Sequence, residues 1–193
     1  MTSWPIPLSN RWTLVDAITD PTALGQLKEG IANVETLSAL KAQLPAYHDM
    51  FMGQIGGSPG EVSAIAILLG GIYMLYRRII TWHIPASYLL IVAVFTGILY
   101  LIDPAHNIDP VFHLLAGGLM LGSFFMATDM VTSPMTYRGM LVFGFGCGIL
   151  TVMIRNWGAY PEGVSFAILI MNAVAPLINK GFKPKRYGEV ING

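Results

Sequence analysis

Between residues 61 and 178 only nine of 118 residues are Asp, Glu, Lys or Arg. The apolar runs left between these charges and the Pro/Gly breaks cover about 60–79, 84–102, 111–128, 137–154 and 162–178. A bilayer-crossing helix needs roughly 20 mostly apolar residues, in a range of about 17–25. Each run meets that length. One such run could be a buried helix of a water-soluble protein, but five in succession with short links argue against it. The fold class read from this pattern is an all-α integral membrane protein with five transmembrane helices.

The rest of the composition agrees. The 193-residue chain is 54% hydrophobic and 11% charged, whereas a soluble domain carries roughly a quarter charged residues. Its formal net charge is zero, so nucleic-acid binding has no electrostatic support. Cys147 is the one cysteine. That excludes an internal disulfide, a Cys-based zinc site and an iron–sulfur cluster held by this chain alone.

Charge also divides the chain into three parts. Residues 1–60 hold three bases and five acids, the five-span part covers 61–178, and residues 179–193 hold Lys180, Lys183, Lys185, Arg186 and one acid, Glu189. Arg77 and Arg78 follow the first run, Arg138 opens the fourth and the basic tail follows the fifth. These bases alternate onto one side, which the positive-inside rule makes cytoplasmic. Asp103, Asp109 and Glu162 fall on the other side, where Arg155 is the base close to a boundary. Residues 1–60 are then external and the C-terminus cytoplasmic. The opening MTSWPIPLSNRW has neither a basic n-region nor an apolar h-region, so it does not read as a signal peptide. The expectation is that earlier spans of a longer protein deliver it to the outer face.

Within the external part, Ile31, Val34, Leu37, Leu40 and Leu44 form the stripe of a short amphipathic helix ended by Pro45. The following YHDMFMGQIGGSPGE reads as a loop or re-entrant turn. Ser58-Pro59-Gly60-Glu61 has capping-box spacing and marks the start of the first span. The stretch DAITDPTAL reads as a turn-rich loop around Pro21.

Polar residues within or at the edge of the spans are the candidates for chemistry, because burying them in hydrocarbon is unfavourable. His113 lies in the first turn of the third run, Asp129 ends that run, and Asn172 sits mid-way along the fifth, four residues before Pro176. For His113 an interfacial or capping role is the simpler reading, and no His or carboxylate at i+3 or i+4 joins it to build a metal site. Asn172 is first a hydrogen-bonding partner for another helix, and Asp129 first a solvated loop acid. Gly118/Gly122 and Gly144/Gly148 are read as close-packing positions. No nucleophilic triad, P-loop or dinucleotide fingerprint is present.

FFMATDMVTSPMT (124–136) and RNWGAYPEGVSFAILIMNAVAPLI (155–178) together resemble the RnfD/NqrB family of ion-translocating electron-transport complexes. GQIGGSPGEVSAIAILLGG (53–71), WHIP (82–85) and RYG (186–188) favour its Rnf D-subunit branch. The similarity runs over nearly the whole chain but matches only the C-terminal part of a family member. It implies a larger bundle of roughly ten helices, in the inner (cytoplasmic) membrane. It also implies an FMN esterified through its phosphate to a threonine in a motif of the form [ST]-G-A-T. The matching position is Thr22, in Thr19-Asp20-Pro21-Thr22, with Asp20 and Pro21 in place of Gly and Ala. Met130 departs too, standing where the family usually has Pro. Tyr47, Met50, Phe51 and Met52 are candidates to pack on the flavin ring, Asp129 and Asn172 are further candidate contacts, and riboflavin is a second, non-covalent flavin that the resemblance allows.

The implied function is a redox subunit that relays electrons through the Thr22-bound FMN while the complex moves Na⁺ or H⁺. It is one part of a translocase rather than a stand-alone enzyme. Its partners are the other Rnf subunits, including a second flavoprotein subunit, together with membrane lipid and the coupling ion. Two alternatives stand beside it: a transporter- or channel-like bundle, and a structural subunit lacking flavin.

Overall fold

The computed structural model describes residues 23–32, 44–53, 63–104, 107–158, 160 and 162–182. Among these, every regular element is helical. In chain order they are α1 (Ala23–Ala32), α2 (Tyr47–Met52), α3 (Ala64–Tyr76), α4 (His83–Ile102), α5 (Pro110–Leu115), α6 (Leu119–Leu121), a π-helical turn (Gly122–Met126), α7 (Tyr137–Trp157) and α8 (Val164–Gly181). Among the described residues, three helices are long and apolar enough to cross a membrane: α4 with 20 residues, α7 with 21 and α8 with 18.

The other two expected spans take a different form. The first has 13 described helical residues in α3, which at ~1.5 Å per residue reach about 20 Å, short of a ~30 Å hydrocarbon core. It starts with Ser63, whose Oγ accepts from the Ala66 N–H at 3.4 Å. The third run, 111–128, is no single helix. Ala116 turns to extended backbone after α5, and Gly117 takes φ +66°, a conformation that glycine adopts without a Cβ clash. The chain then resumes in α6 and widens into the π-helical turn, where the Ala127 N–H donates to the Gly122 carbonyl at 2.7 Å.

Helices α4 and α7 form the tightest pair because glycine replaces bulk where they meet. A Cβ on Gly144 would stand 2.8 Å from the Ile84 carbonyl oxygen, and one on Gly148 3.2 Å from that of Tyr88. Both glycines serve packing, as their spacing predicts. The Tyr88 hydroxyl and Thr151 Oγ1 lie 2.6 Å apart inside this seam, and Thr151 Oγ1 donates to the Cys147 carbonyl at 2.8 Å. The main core runs through Tyr88, Val92, Phe143, Cys147 and Val152 to Ile168 and Met171 on α8. A second cluster of Leu24, Met50, Ile108, Phe112 and Ala116 fastens α1 and α2 onto α5.

Two segments expected to be loop contain helix among their described residues. The DAITDPTAL stretch runs into α1 at Ala23, and YHDMFM forms α2, ended by Gly53 at φ +88°. Burial of Leu24 and Met50 against Phe112 supplies the tertiary packing that turns these short sequences into helix. Thr22, most of the 31–44 stripe, the Ser58 capping box and the tail from 183 lie outside the described residues.

Candidate functional site at one end of the helices

The ends of α4 and α7 meet the start of α5 beside α1, and a cleft of about 280 Å³ opens between them. Its apolar wall is Leu24 and Leu27 of α1, Leu99 of α4, Ile108 and Trp157. Lys28, Asn107, His113, Arg155 and Asn156 make up the polar wall.

Each of three polar side chains closes a helix end, where carbonyls have no intrahelical partner. Asn107 Nδ2 donates to the carbonyls of Leu99 and Asp103 at 3.1 and 3.0 Å, which caps α4. Lys28 Nζ donates to the Gly158 carbonyl and, at 3.5 and 3.0 Å, to those of Arg155 and Tyr160, which caps α7. Arg155 is 6% exposed and donates from Nη1 to the His113 carbonyl at 2.6 Å and from Nη2 to that of Ala116 at 3.0 Å. It thus serves the carbonyls that the break after α5 sets free. Cations at helix C-termini are also favoured by the helix dipole. Desolvation at the cleft holds the Lys28 ammonium below the ordinary lysine range.

His113 closes no helix end. It is 8% exposed, lines the cleft, and its Nδ1 is buried with no hydrogen-bond partner among the described residues. Glu162 stands nearby: its Oε1 and Arg155 Nη2 each lie 3.4 Å from where a Gly117 Cβ would be. At the rim, the Tyr47 hydroxyl donates to Asp109 Oδ2 at 3.0 Å. Desolvation first, then this hydrogen bond, raises the Tyr47 phenol above its ordinary value.

The residues singled out from sequence do not gather here. Thr22 lies outside the described residues, directly before α1 in the chain. Asp129 is exposed at the opposite end, where its Oδ2 accepts from Thr132 Oγ1 at 3.2 Å, while the Thr128 hydroxyl is engaged by the Phe124 carbonyl at 2.6 Å. Asn172 is half-buried in α8 and its Oδ1 has no hydrogen-bond partner among the described residues. Pro176, four residues on, has no N–H to offer the Asn172 carbonyl. Met50 is core, Tyr47 is engaged by Asp109, and Phe51 and Met52 are exposed, so none of the four α2 candidates lines the cleft. Sequence reasoning missed Lys28 and Asn107 and read His113 as interfacial. The one available signal was Arg155, a base at a boundary otherwise marked by acids.

The NQR2, RnfD, RnfE family model matches residues 1–188. The chain is 45% identical over 193 residues to the D subunit of the proton-translocating ferredoxin:NAD(+) oxidoreductase complex of Clostridium ljungdahlii, covering 97% of this chain and 58% of that protein. It is 42% identical over 214 residues to the D subunit of the ion-translocating oxidoreductase complex of Stutzerimonas stutzeri, covering 100% and 59%. It is also 42% identical over 192 residues to the D subunit of the Na(+)-translocating ferredoxin:NAD(+) oxidoreductase complex of Acetobacterium woodii, covering 97% and 55%. The chain therefore spans somewhat over half the length of these relatives. With its long apolar helices, and a family match across nearly its whole length, the chain is a multi-pass membrane protein that belongs to the NQR2, RnfD, RnfE family.

Proposed function

We propose that the chain is part of a membrane redox subunit in an ion-translocating electron-transport complex, carrying an FMN joined through its phosphate to Thr22. The D-subunit relatives support the complex-level reading. The observation that carries the flavin reading is the cleft, because its wall begins two residues after Thr22, at Leu24. The residues there fit a flavin ring. Leu24, Leu27 and Trp157 offer apolar surface, Lys28 and Arg155 supply positive charge, and none of the described lining residues is a carboxylate. About 280 Å³ is just under the ~300–1,000 Å³ usual for ligand pockets, a size suited to one ring system rather than a whole nucleotide. When bound, the flavin supplies one- and two-electron chemistry, and the protein supplies position and electrostatics. Leu24 and Leu27 shield one side of the cleft from water, while Lys28 and Asn107 hold the helix ends that shape it.

In this reading residues 1–60 form an external flavin-attachment segment, 61–178 a membrane domain of five passages with a broken third, and 179–193 a cytoplasmic tail, within a bundle of about ten helices in the inner membrane. Electrons arrive from a second flavoprotein subunit and their passage is coupled to Na⁺ or H⁺. Asp129 and Asn172 are proposed contacts for a flavin or cation away from the cleft, and riboflavin as a second flavin rests on the resemblance alone. The test is intact mass and in-gel fluorescence of the protein from its own host. A covalent flavin adduct lost in Thr22→Ala is the expected result. An unmodified wild-type chain would instead favour the structural-subunit reading, to which Asp20 and Pro21 lend weight. The broken third passage favours a transporter-like bundle as the runner-up, since discontinuous helices line ion and substrate paths in many transporters. Solute flux in liposomes without an electron donor would distinguish it.

A further inference from the structure

We propose that the end opposite the cleft is a docking surface for the headgroups of anionic phospholipid. Its contacts are Arg77 and Arg78 at the close of α3, Trp82 at the start of α4, and Tyr137 and Arg138 at the start of α7. The proposal is independent of the flavin reading above.

The backbone of Arg78 carries the argument. Helix α3 ends in a Schellman turn, in which the Arg78 N–H donates to the Leu75 carbonyl and the Ile79 N–H to the Met74 carbonyl, each at 3.0 Å. Such a turn needs one left-handed residue, which is usually glycine. Here Arg78 takes that place at φ +55°, the one non-glycine residue with positive φ among those described. A side chain is disfavoured in this conformation, so an arginine stands there against the local preference of the backbone. Neither ordinary reason for a base explains it. The dipole at the end of α3 is already answered by Arg77, one position earlier. The positive-inside rule counts bases over a whole short loop and is indifferent to which position holds them.

The surroundings match a membrane boundary and a negative headgroup. Helices α4 and α7 both begin here, and three rings bridge their starts. Trp82 stacks on His83 with centroids 4.3 Å apart, and His83 on Tyr137 at 4.7 Å. Trp82 and Tyr137 are nonetheless exposed, as is Tyr76 beside Arg77. Exposed Trp and Tyr at the ends of crossing helices sit at headgroup level, with the apolar body toward the acyl chains and the N–H or O–H toward the polar region. Arg77, Arg78, Arg138 and Lys180 are exposed at the same end, against one described acid, Asp129. The phosphodiester of a phospholipid is an anionic acceptor that a guanidinium meets with paired N–H donors. A water-soluble acidic partner would call for the bases without the exposed rings, so the combination favours lipid.

The test places the assembled complex in phosphatidylcholine nanodiscs that contain a small fraction of phosphatidylglycerol with a photoreactive headgroup. Cross-linked peptides are mapped by mass spectrometry. Label is expected on segments 76–82 and 137–138, and unlabelled phosphatidylglycerol is expected to displace it. Photoreactive phosphatidylcholine at the same fraction is expected to show no preference for these segments. Removing one base near a membrane surface weakens anionic-lipid binding about fivefold, so Arg78→Gly is expected to lose label by that factor. Glycine suits the left-handed position, so the same variant is expected to unfold in phosphatidylcholine alone at the wild-type temperature or above it. A double variant, Arg77→Gln with Arg138→Gln, leaves the turn untouched and is expected to lose label too. It decides where Arg78→Gly fails to assemble. Equal labelling by the two lipids, or wild-type labelling in these variants, overturns the proposal. So does displacement of the label by millimolar inorganic phosphate, which would assign the surface to a free anion. Absence of label from wild type, with another subunit lost from Arg78→Gly on purification, would assign it to an acidic protein and overturns the proposal as well.

Discussion

Arg155 shows how one side chain stands in for missing secondary structure. Two backbone carbonyls at the α5 break, those of His113 and Ala116, lie on its guanidinium. Leaving a buried acceptor unpaired costs roughly 1–3 kcal/mol, so Arg155→Leu is expected to lower stability by a few kcal/mol, read as a lower midpoint in thermal unfolding of the purified complex. Arg155→Lys, with its single ammonium head, should lie between. The Tyr47–Asp109 bond is a milder case because both groups are partly exposed. Tyr47→Phe is expected to cost about 1 kcal/mol or less. Its pH dependence has a definite sign. The folded pKa of Tyr47 is raised, by desolvation and by the bond to Asp109. The contribution is therefore complete below the ordinary tyrosine value of 10.0 and is lost as pH climbs through the folded one. Stability of wild type should fall faster than that of Tyr47→Phe in that alkaline window. Asp129 is exposed with one hydroxyl partner, so Asp129→Asn is expected to change stability by no more than about 0.5 kcal/mol. The proposed contact role requires that the same variant lower turnover or ion coupling, and leave Thr22 flavinylated. Wild-type turnover and coupling would return Asp129 to an ordinary loop acid.

At the level of elements, apolar run length was a good guide where the backbone stays regular and a poor one where it does not. Runs 84–102, 137–154 and 162–178 correspond closely to α4, α7 and α8. The run 111–128 is equally apolar, yet its helix breaks at Ala116-Gly117-Gly118, because hydropathy carries no information about where carbonyls find partners. The partner here is Arg155, 39 and 42 residues along the chain. The cleft was illegible for the same reason. Lys28 caps α7 across 127 to 132 residues of sequence, a distance that no periodicity records. The Gly144/Gly148 spacing, by contrast, is local to one helix and was readable as packing. That seam yields a direct prediction. Gly144→Leu forces a Cβ to 2.8 Å from the Ile84 carbonyl, a backbone atom that a rotamer change cannot move aside. Overpacking of this kind costs roughly 1–3 kcal/mol or more. The expected outcome is a loss of folded protein in detergent, seen as early aggregation on size-exclusion chromatography. Gly181→Leu, where a Cβ meets nothing within 4 Å, should behave as wild type.

Across the whole molecule, the two ends of the helices differ in how their charges are used, and this bears on which end faces the cytoplasm. Thr81 Oγ1 meets Met140 Sδ at 3.2 Å, the His83 and Tyr137 rings stack at 4.7 Å, and the Met135 N–H donates to Asn179 Oδ1 at 3.1 Å. These contacts gather the start of α4, the start of α7 and the end of α8 at the end opposite the cleft. Arg77, Arg78, Arg138 and Lys180 all belong to that end, and all are exposed. The cleft end has Asp103, Asp109 and Glu162, and its bases Lys28 and Arg155 are drawn onto backbone carbonyls. Orientation follows bases in short loops near the helix ends, whereas acids contribute little. Arg155 is 6% exposed, so it is no loop charge of this kind, and the contrast between the ends is sharper than a count of bases by side implies. The expected topology puts the cleft on the external face. Single cysteines at Phe51 on α2 and Met130 beyond the π-helical turn, both exposed, test it with a membrane-impermeant maleimide on intact cells. Buried Cys147 adds little background. Phe51→Cys is expected to label and Met130→Cys to stay dark until the cells are opened. Labelling of Met130→Cys alone in intact cells would invert the molecule and place the cleft, with any flavin in it, in the cytoplasm.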